Sequence, residues 1–208
     1  MDNEVMSLMS KYGELTLDSF MSDGLLKDFP IFGSAFSIIK IGTNIHDRIF
    51  IAKLMSFIEN IDKNPKWKEK FSDEKECNKI SKQLLYIINS CDDDNKLKLI
   101  GLAFNYLVNG EINKDEYFYT VNIISKSFYP FLKILKDIDE TDSRFVNDGK
   151  KYDYFGITHL VNIGALDYDG QTVAIINHKT NKIEAPPSII VALNGYSDFL
   201  IELLNKLD

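Results

Sequence analysis

Arginine is almost missing from this chain: Arg48 and Arg144 are the only two, and lysine supplies the remainder of the 24 basic residues. The guanidinium is the rigid fork that reads phosphates and base edges bidentately, so its scarcity counts against sequence-specific nucleic-acid recognition. The 31 acidic residues leave a net charge of −7, which counts against it again. Cysteine is as sparse. Cys77 and Cys91, with no CxxC, give no disulfide framework and favour a reducing, cytoplasmic setting. Long apolar runs are absent too: the most apolar uncharged stretch, Phe29 to Ile39, has 11 residues, against the roughly 20 a spanning helix needs. The start, Met1 to Phe20, is acidic and broken by polar residues, so no signal peptide is expected. No HExxH, GxSxG, GxGxxG or P-loop lysine occurs, and His46, His159 and His178 fall on three separate predicted elements. The expectation is a non-enzymatic chain with no cofactor, no metal and no evident small-molecule substrate.

What is present is enough apolar residue, 45% of 208, to bury a real core. Pro30 suits the first turn of a helix running to Ile41. Ile45, Ile49, Ala52, Leu54, Phe57, Ile58 and Ile61 recur at three-to-four spacing, the strongest helical signal in the chain, with Asn44 as its cap. Ser72 is the expected cap of the next long helix. Asp92, Asp93 and Asp94 suit the positive end of another, Gly110 its end, and Pro130 a restart. Beyond a polar stretch at 138–153, a short helix closing near Gly164 leads into a predicted hairpin. Its strands are Thr172 to Ile176 and Ser188 to Leu193, with Asn181 and Pro186-Pro187 in the loop between them. A last helix runs from Gly195 to Leu204. The fold class expected is mainly α: a multi-helix bundle over residues 1–140, followed by a small α+β, winged-helix-like module over 141–208.

Two stretches stand out as contact surfaces. Phe29, Ile31, Phe32, Phe36 and Ile39 cover more than one face of a helix, which fits burial or release to a partner or a membrane surface. Lys66, Trp67, Lys68 and Lys70 lie in a segment, Lys63 to Lys82, with seven lysines against four acids, and could meet a polyanion. The would-be recognition helix of the winged module, Gly156 to Leu166, has no lysine or arginine, so its hairpin is expected to serve protein contact. Asn105 to Glu116 has part of a calcium-loop pattern, but Leu107 stands where a ligand oxygen is required, which leaves a helix connection capped by Gly110. Asp167-Tyr168-Asp169-Gly170 resembles a haloacid-dehalogenase nucleophile loop with its threonine one place late; a polar turn into the hairpin accounts for it.

The run LLKDFPIFGSAFSIIKIGTNIHDRIFIAKLMSFIENI, together with IIVALNGYSDFLIELL near the end, resembles bacterial proteins grouped with the abortive-infection alpha family. The resemblance implies an antiphage or stress-response setting, no settled mechanism and no catalytic residue. Action through protein contacts or self-association, with membrane association on activation through the Phe29 to Ile45 segment, is expected from the absence of any catalytic motif together with that apolar run.

Overall fold

The computed structural model describes residues 45–62, 70–138, 144–146, 154–173, 175–177, 180, 182–185 and 188–207. Among them are seven α-helices, one 3₁₀ turn and five strands, so the protein is mainly helical with a small mixed C-terminal module. Its described residues form two compact units that divide between Phe118 and Tyr119. The expected helix over Pro30 to Ile41 and the cap Asn44 lie outside the described residues.

The first unit is built on α1 (Ile45–Glu59), α2 (Glu74–Ser90) and α3 (Asp94–Asn109). The apolar spacing read along Ile45 to Ile61 does make α1, which buries Ala52, Leu54 and Phe57. α2 is capped by Asp73, one place later than the expected Ser72: the carboxylate accepts from the Lys75 and Glu76 amides at 2.9 and 3.3 Å. α3 is the central helix, buried on more than one face through Leu97, Leu99, Ile100, Phe104 and Leu107. Asp93 caps its start, and Gly110, at φ 78°, takes the left-handed conformation that ends it. α1 and α3 approach closely at Gly101, where a Cβ would stand 2.6 Å from the Phe57 carbonyl oxygen. Around Phe104 the rings of Phe57, Phe71 and Tyr117 pack at centroid distances of 5.8–5.9 Å. Phe57 and Tyr117 meet Phe104 edge-to-face and Phe71 stacks on it, and aromatic pairs of these kinds add about 0.5–1.5 kcal/mol beyond their buried area.

α4 (Lys114–Lys126) follows the turn that sequence assigned to Gly110. Its cap is reciprocal: Asn113 Oδ1 accepts from the Asp115 and Glu116 amides, and Glu116 Oε2 accepts from the Asn113 amide at 2.7 Å. The chain breaks before Pro130, as expected, and restarts as α5 (Tyr129–Ile134) and a 3₁₀ turn, Leu135–Asp137.

In the second unit, β1 (Arg144–Val146), α6 (Tyr154–Asn162), β2 (Asp167–Thr172), β3 (Ile175–Asn177), β4 (Lys182–Ala185), β5 (Ser188–Ala192) and α7 (Gly195–Leu207) follow in order. The three-stranded sheet runs β1-β5-β2, all antiparallel, so the module is a small α+β one as expected, but β1 lies within the polar stretch at 138–153 and adds a strand that the expected hairpin lacks. Ile189 and Val191 on β5 turn inward with Leu160, Leu166, Leu200 and Leu203 to form its core. A polar tie at one end joins three elements. Asn194 Oδ1 caps α7 by accepting from the Tyr196 and Ser197 amides, its Nδ2 donates to Asp167, and the Ser197 hydroxyl donates to the Ala165 carbonyl at 2.6 Å.

Candidate functional site

Of the contact residues expected from sequence, Phe29, Ile31, Phe32, Phe36, Ile39, Lys66, Trp67 and Lys68 lie outside the described residues; Lys70 is described and exposed. His178 is also outside, His46 is exposed on α1, and His159 packs its ring against Phe131 at 5.7 Å. Among the described residues no group of three His, Cys, Asp or Glu side chains is placed to hold a metal ion, and no helix is long and apolar enough to cross a membrane.

A dense polar cluster surrounds the α2–α3 junction. Lys53 of α1 donates to the Asn89 carbonyl at 2.7 Å, a cation at the negative end of α2. Buried Lys96 pairs with Asp92 at 2.7 Å, while Asp94 accepts from Ser56 and pairs with Lys98 at 2.7 Å. Cys91 sits among them, 1% exposed, and burial pushes its thiol up to about 11 despite the pull of Lys96 and Lys53. Burial also lowers Lys53 and raises Cys77 and the fully buried Tyr117. A thiol raised this far stays protonated at neutral pH, whereas a nucleophilic cysteine needs the opposite shift. Cys77 and Cys91 are both free. They stand at opposite ends of one helix, roughly 21 Å apart at the helical rise, far beyond disulfide reach. The cluster staples three helices together.

The second unit presents a different surface. β2 with β3 and β4 with β5 form one long hairpin: Thr172 faces Ser188 and Ile175 faces Ala185, three steps on along each arm, so the register is kept across the interruption. Pro186 and Pro187 lie outside the described residues. β4 stands where the sequence places the loop between the two expected strands, so the described strands exceed the expected pair. Asp169-Gly170 differs from expectation as well: it lies inside β2, at a register shift between Tyr168 and Gly170, and is not a turn before the hairpin.

Beyond the three-stranded sheet, the distal β3–β4 arm exposes Val173 (77%), Ile175 (56%), Ile176 (45%) and Ile183 (63%), while Ile189 and Val191 on the same hairpin are 7% and 0% exposed. Ile175 and Ile176 are consecutive strand residues and point to opposite faces, so both faces of the arm are apolar. A register shift lies between them: Ile175 faces Ala185 but Ile176 faces Ile183, which leaves Glu184 as the extra residue of a bulge. In an unshifted register, Ile176 would face Glu184. The bulge brings two isoleucines opposite each other. The sequence signal for this surface is the unbroken Val173-Ala174-Ile175-Ile176, which lacks the alternation of a half-buried strand. No family model, curated protein or solved structure matches the chain.

Proposed function

We propose that this protein works by protein contact, with the β3–β4 arm as its contact surface. The apolar exposure of Val173, Ile175, Ile176 and Ile183 carries the proposal: soluble monomers leave single apolar residues in water, not a hairpin apolar on both faces. The protonated, buried state of Cys91 supports a non-enzymatic role for the polar cluster beside it. The antiphage or stress-response setting follows from the resemblance of the N-terminal run and the final helix to abortive-infection alpha proteins. The apolar run at 29–45 is, within the same proposal, a second contact segment directed to a partner or a membrane surface.

The test is photo-crosslinking in bacteria that express the chain with a photoreactive residue at position 173. Specific adducts are expected, and Ile176→Glu with Ile183→Glu should abolish them. An adduct pattern unchanged by that pair removes the arm as a contact surface. Phage plating on the same strains tests the setting: protection that depends on neither the arm nor the 29–45 run would refute it. Flotation with liposomes reads the membrane arm of the proposal, which is lost if the chain stays at the bottom of the gradient.

A further inference from the structure

We infer that Asn109-Gly110, at the end of α3, is a self-modifying site where the folded chain converts asparagine to aspartate and isoaspartate, while the same dipeptide at Asn194-Gly195 is held unreactive by the polar tie of the second unit. The chemistry needs no enzyme. The backbone nitrogen of the glycine attacks the asparagine Cγ, the bond from Cγ to the side-chain nitrogen breaks, and that nitrogen leaves as ammonia with the proton of the glycine N–H. A five-membered succinimide remains. Water then opens the ring at either carbonyl: one opening leaves aspartate, and the other leaves isoaspartate, with the backbone running through Cβ. Glycine permits this most readily, because no Cβ shields its nitrogen.

These two are the only Asn-Gly pairs in the chain, so intrinsic reactivity is matched and the folded surroundings decide between them. Space does not decide, since a Cβ would meet nothing within 4 Å at either glycine. Hydrogen bonds do, because the side chain must swing toward the following nitrogen and give up what its amide holds. At Asn194, Oδ1 accepts from the Tyr196 and Ser197 amides, both at 3.0 Å, and Nδ2 donates to Asp167 at 2.8 Å. These bonds join the start of α7 to β2 around the buried Ser197. Giving up three of them slows attack by about a hundredfold. At Asn109 the hold is local and in water. The residue is exposed, and its Nδ2 donates to Glu111, two residues on, at 3.1 Å. The attacking nitrogen, that of Gly110, donates to the Leu107 carbonyl at 3.1 Å in the final turn of α3, where helices open first. Losing both slows attack by only about tenfold. The product is directional in its effect: a donor amide beside Glu111 becomes a carboxylate, placed against a like charge and at the negative end of α3. The connection between α3 and α4 therefore loosens as the protein ages.

Peptide mapping of the full chain during incubation in mildly alkaline buffer, which helps to deprotonate the attacking nitrogen, tests this. The peptide that holds Asn109 should gain about 1 Da at least about tenfold faster than the peptide that holds Asn194, with isoaspartate in the product. In concentrated urea, where the folded surroundings are gone, the two rates should come within about threefold of each other. Asn109→Gln, whose longer side chain closes a six-membered ring far more slowly, should abolish the first signal and leave the second unchanged. Aged wild type should also melt below fresh protein, whereas aged Asn109→Gln should melt as it did when fresh. A folded chain in which Asn194 reacts first, or in which the two react at one rate, overturns the inference. So does an Asn109 that stays intact in buffer while it reacts in urea.

Discussion

At the scale of single residues, the strongest constraints come from side chains that composition alone makes unremarkable. Cys91 reads in the sequence as one of two scattered cysteines, yet it is buried with its thiol raised from 9.0 to about 11. The native state therefore holds this proton to higher pH than the unfolded chain does. The stabilisation is whole below about pH 9 and is lost as pH rises through 11, a change of about 2–3 kcal/mol for two units. Wild type should lose that much more stability than Cys91→Ala between about pH 8 and 11, measured by urea unfolding at each pH. The same protonation predicts slow alkylation of Cys91 at neutral pH in the folded protein and fast alkylation in urea, read by intact mass. Gly164 is constrained differently. Its φ of 80° is left-handed, and the Tyr119 hydroxyl occupies the place a Cβ would take. Gly164→Ala should cost about 1–3 kcal/mol, and Tyr119→Phe should recover only the part due to the clash.

At the scale of elements, helix positions were legible wherever apolar residues recur with helical period, as along α1, and wherever punctuation is covalent in origin, as at Gly110 and Pro130. Caps were harder to place, because Ser72 and Asp73 are both good capping residues and only the backbone geometry selects Asp73. The reciprocal cap Asn113–Glu116 was present in the sequence as N-x-x-E and was obscured by its overlap with the calcium-loop pattern. The two asparagine caps should differ in consequence. Asn113→Ala removes a local cap and should cost about 1 kcal/mol. Asn194→Ala also removes the donor to Asp167, so it should cost about 2 kcal/mol, with Asn194→Asp intermediate: it keeps the cap acceptor but sets a carboxylate against Asp167. Thermal melts of the three variants provide the order. The hairpin was legible as a hairpin, but its register was not, since pairing across 16 residues between Thr172 and Ser188 depends on hydrogen bonds that no local pattern encodes.

At the scale of the whole molecule, buried core and contact surface are separate assets. Val173, Ile175, Ile176 and Ile183 lie outside the core that Ile189, Val191, Leu200 and Leu203 form, so the module should fold without its arm. Replacing residues 173–187 by Asn-Gly, a two-residue turn suited to a hairpin, should leave helical content and the urea midpoint intact while abolishing arm-dependent association. A collapse of the C-terminal helix signal in that variant would show that the arm is structural after all. The bulge at Glu184 has a consequence for solubility. It sets Ile176 opposite Ile183, and it also bends an outer strand that would otherwise be straight and open to any other chain. Deleting Glu184 keeps the two isoleucines opposed and straightens the edge. That one-residue deletion should promote strand-to-strand stacking, seen as concentration-dependent light scattering and thioflavin fluorescence in a protein whose parent stays clear.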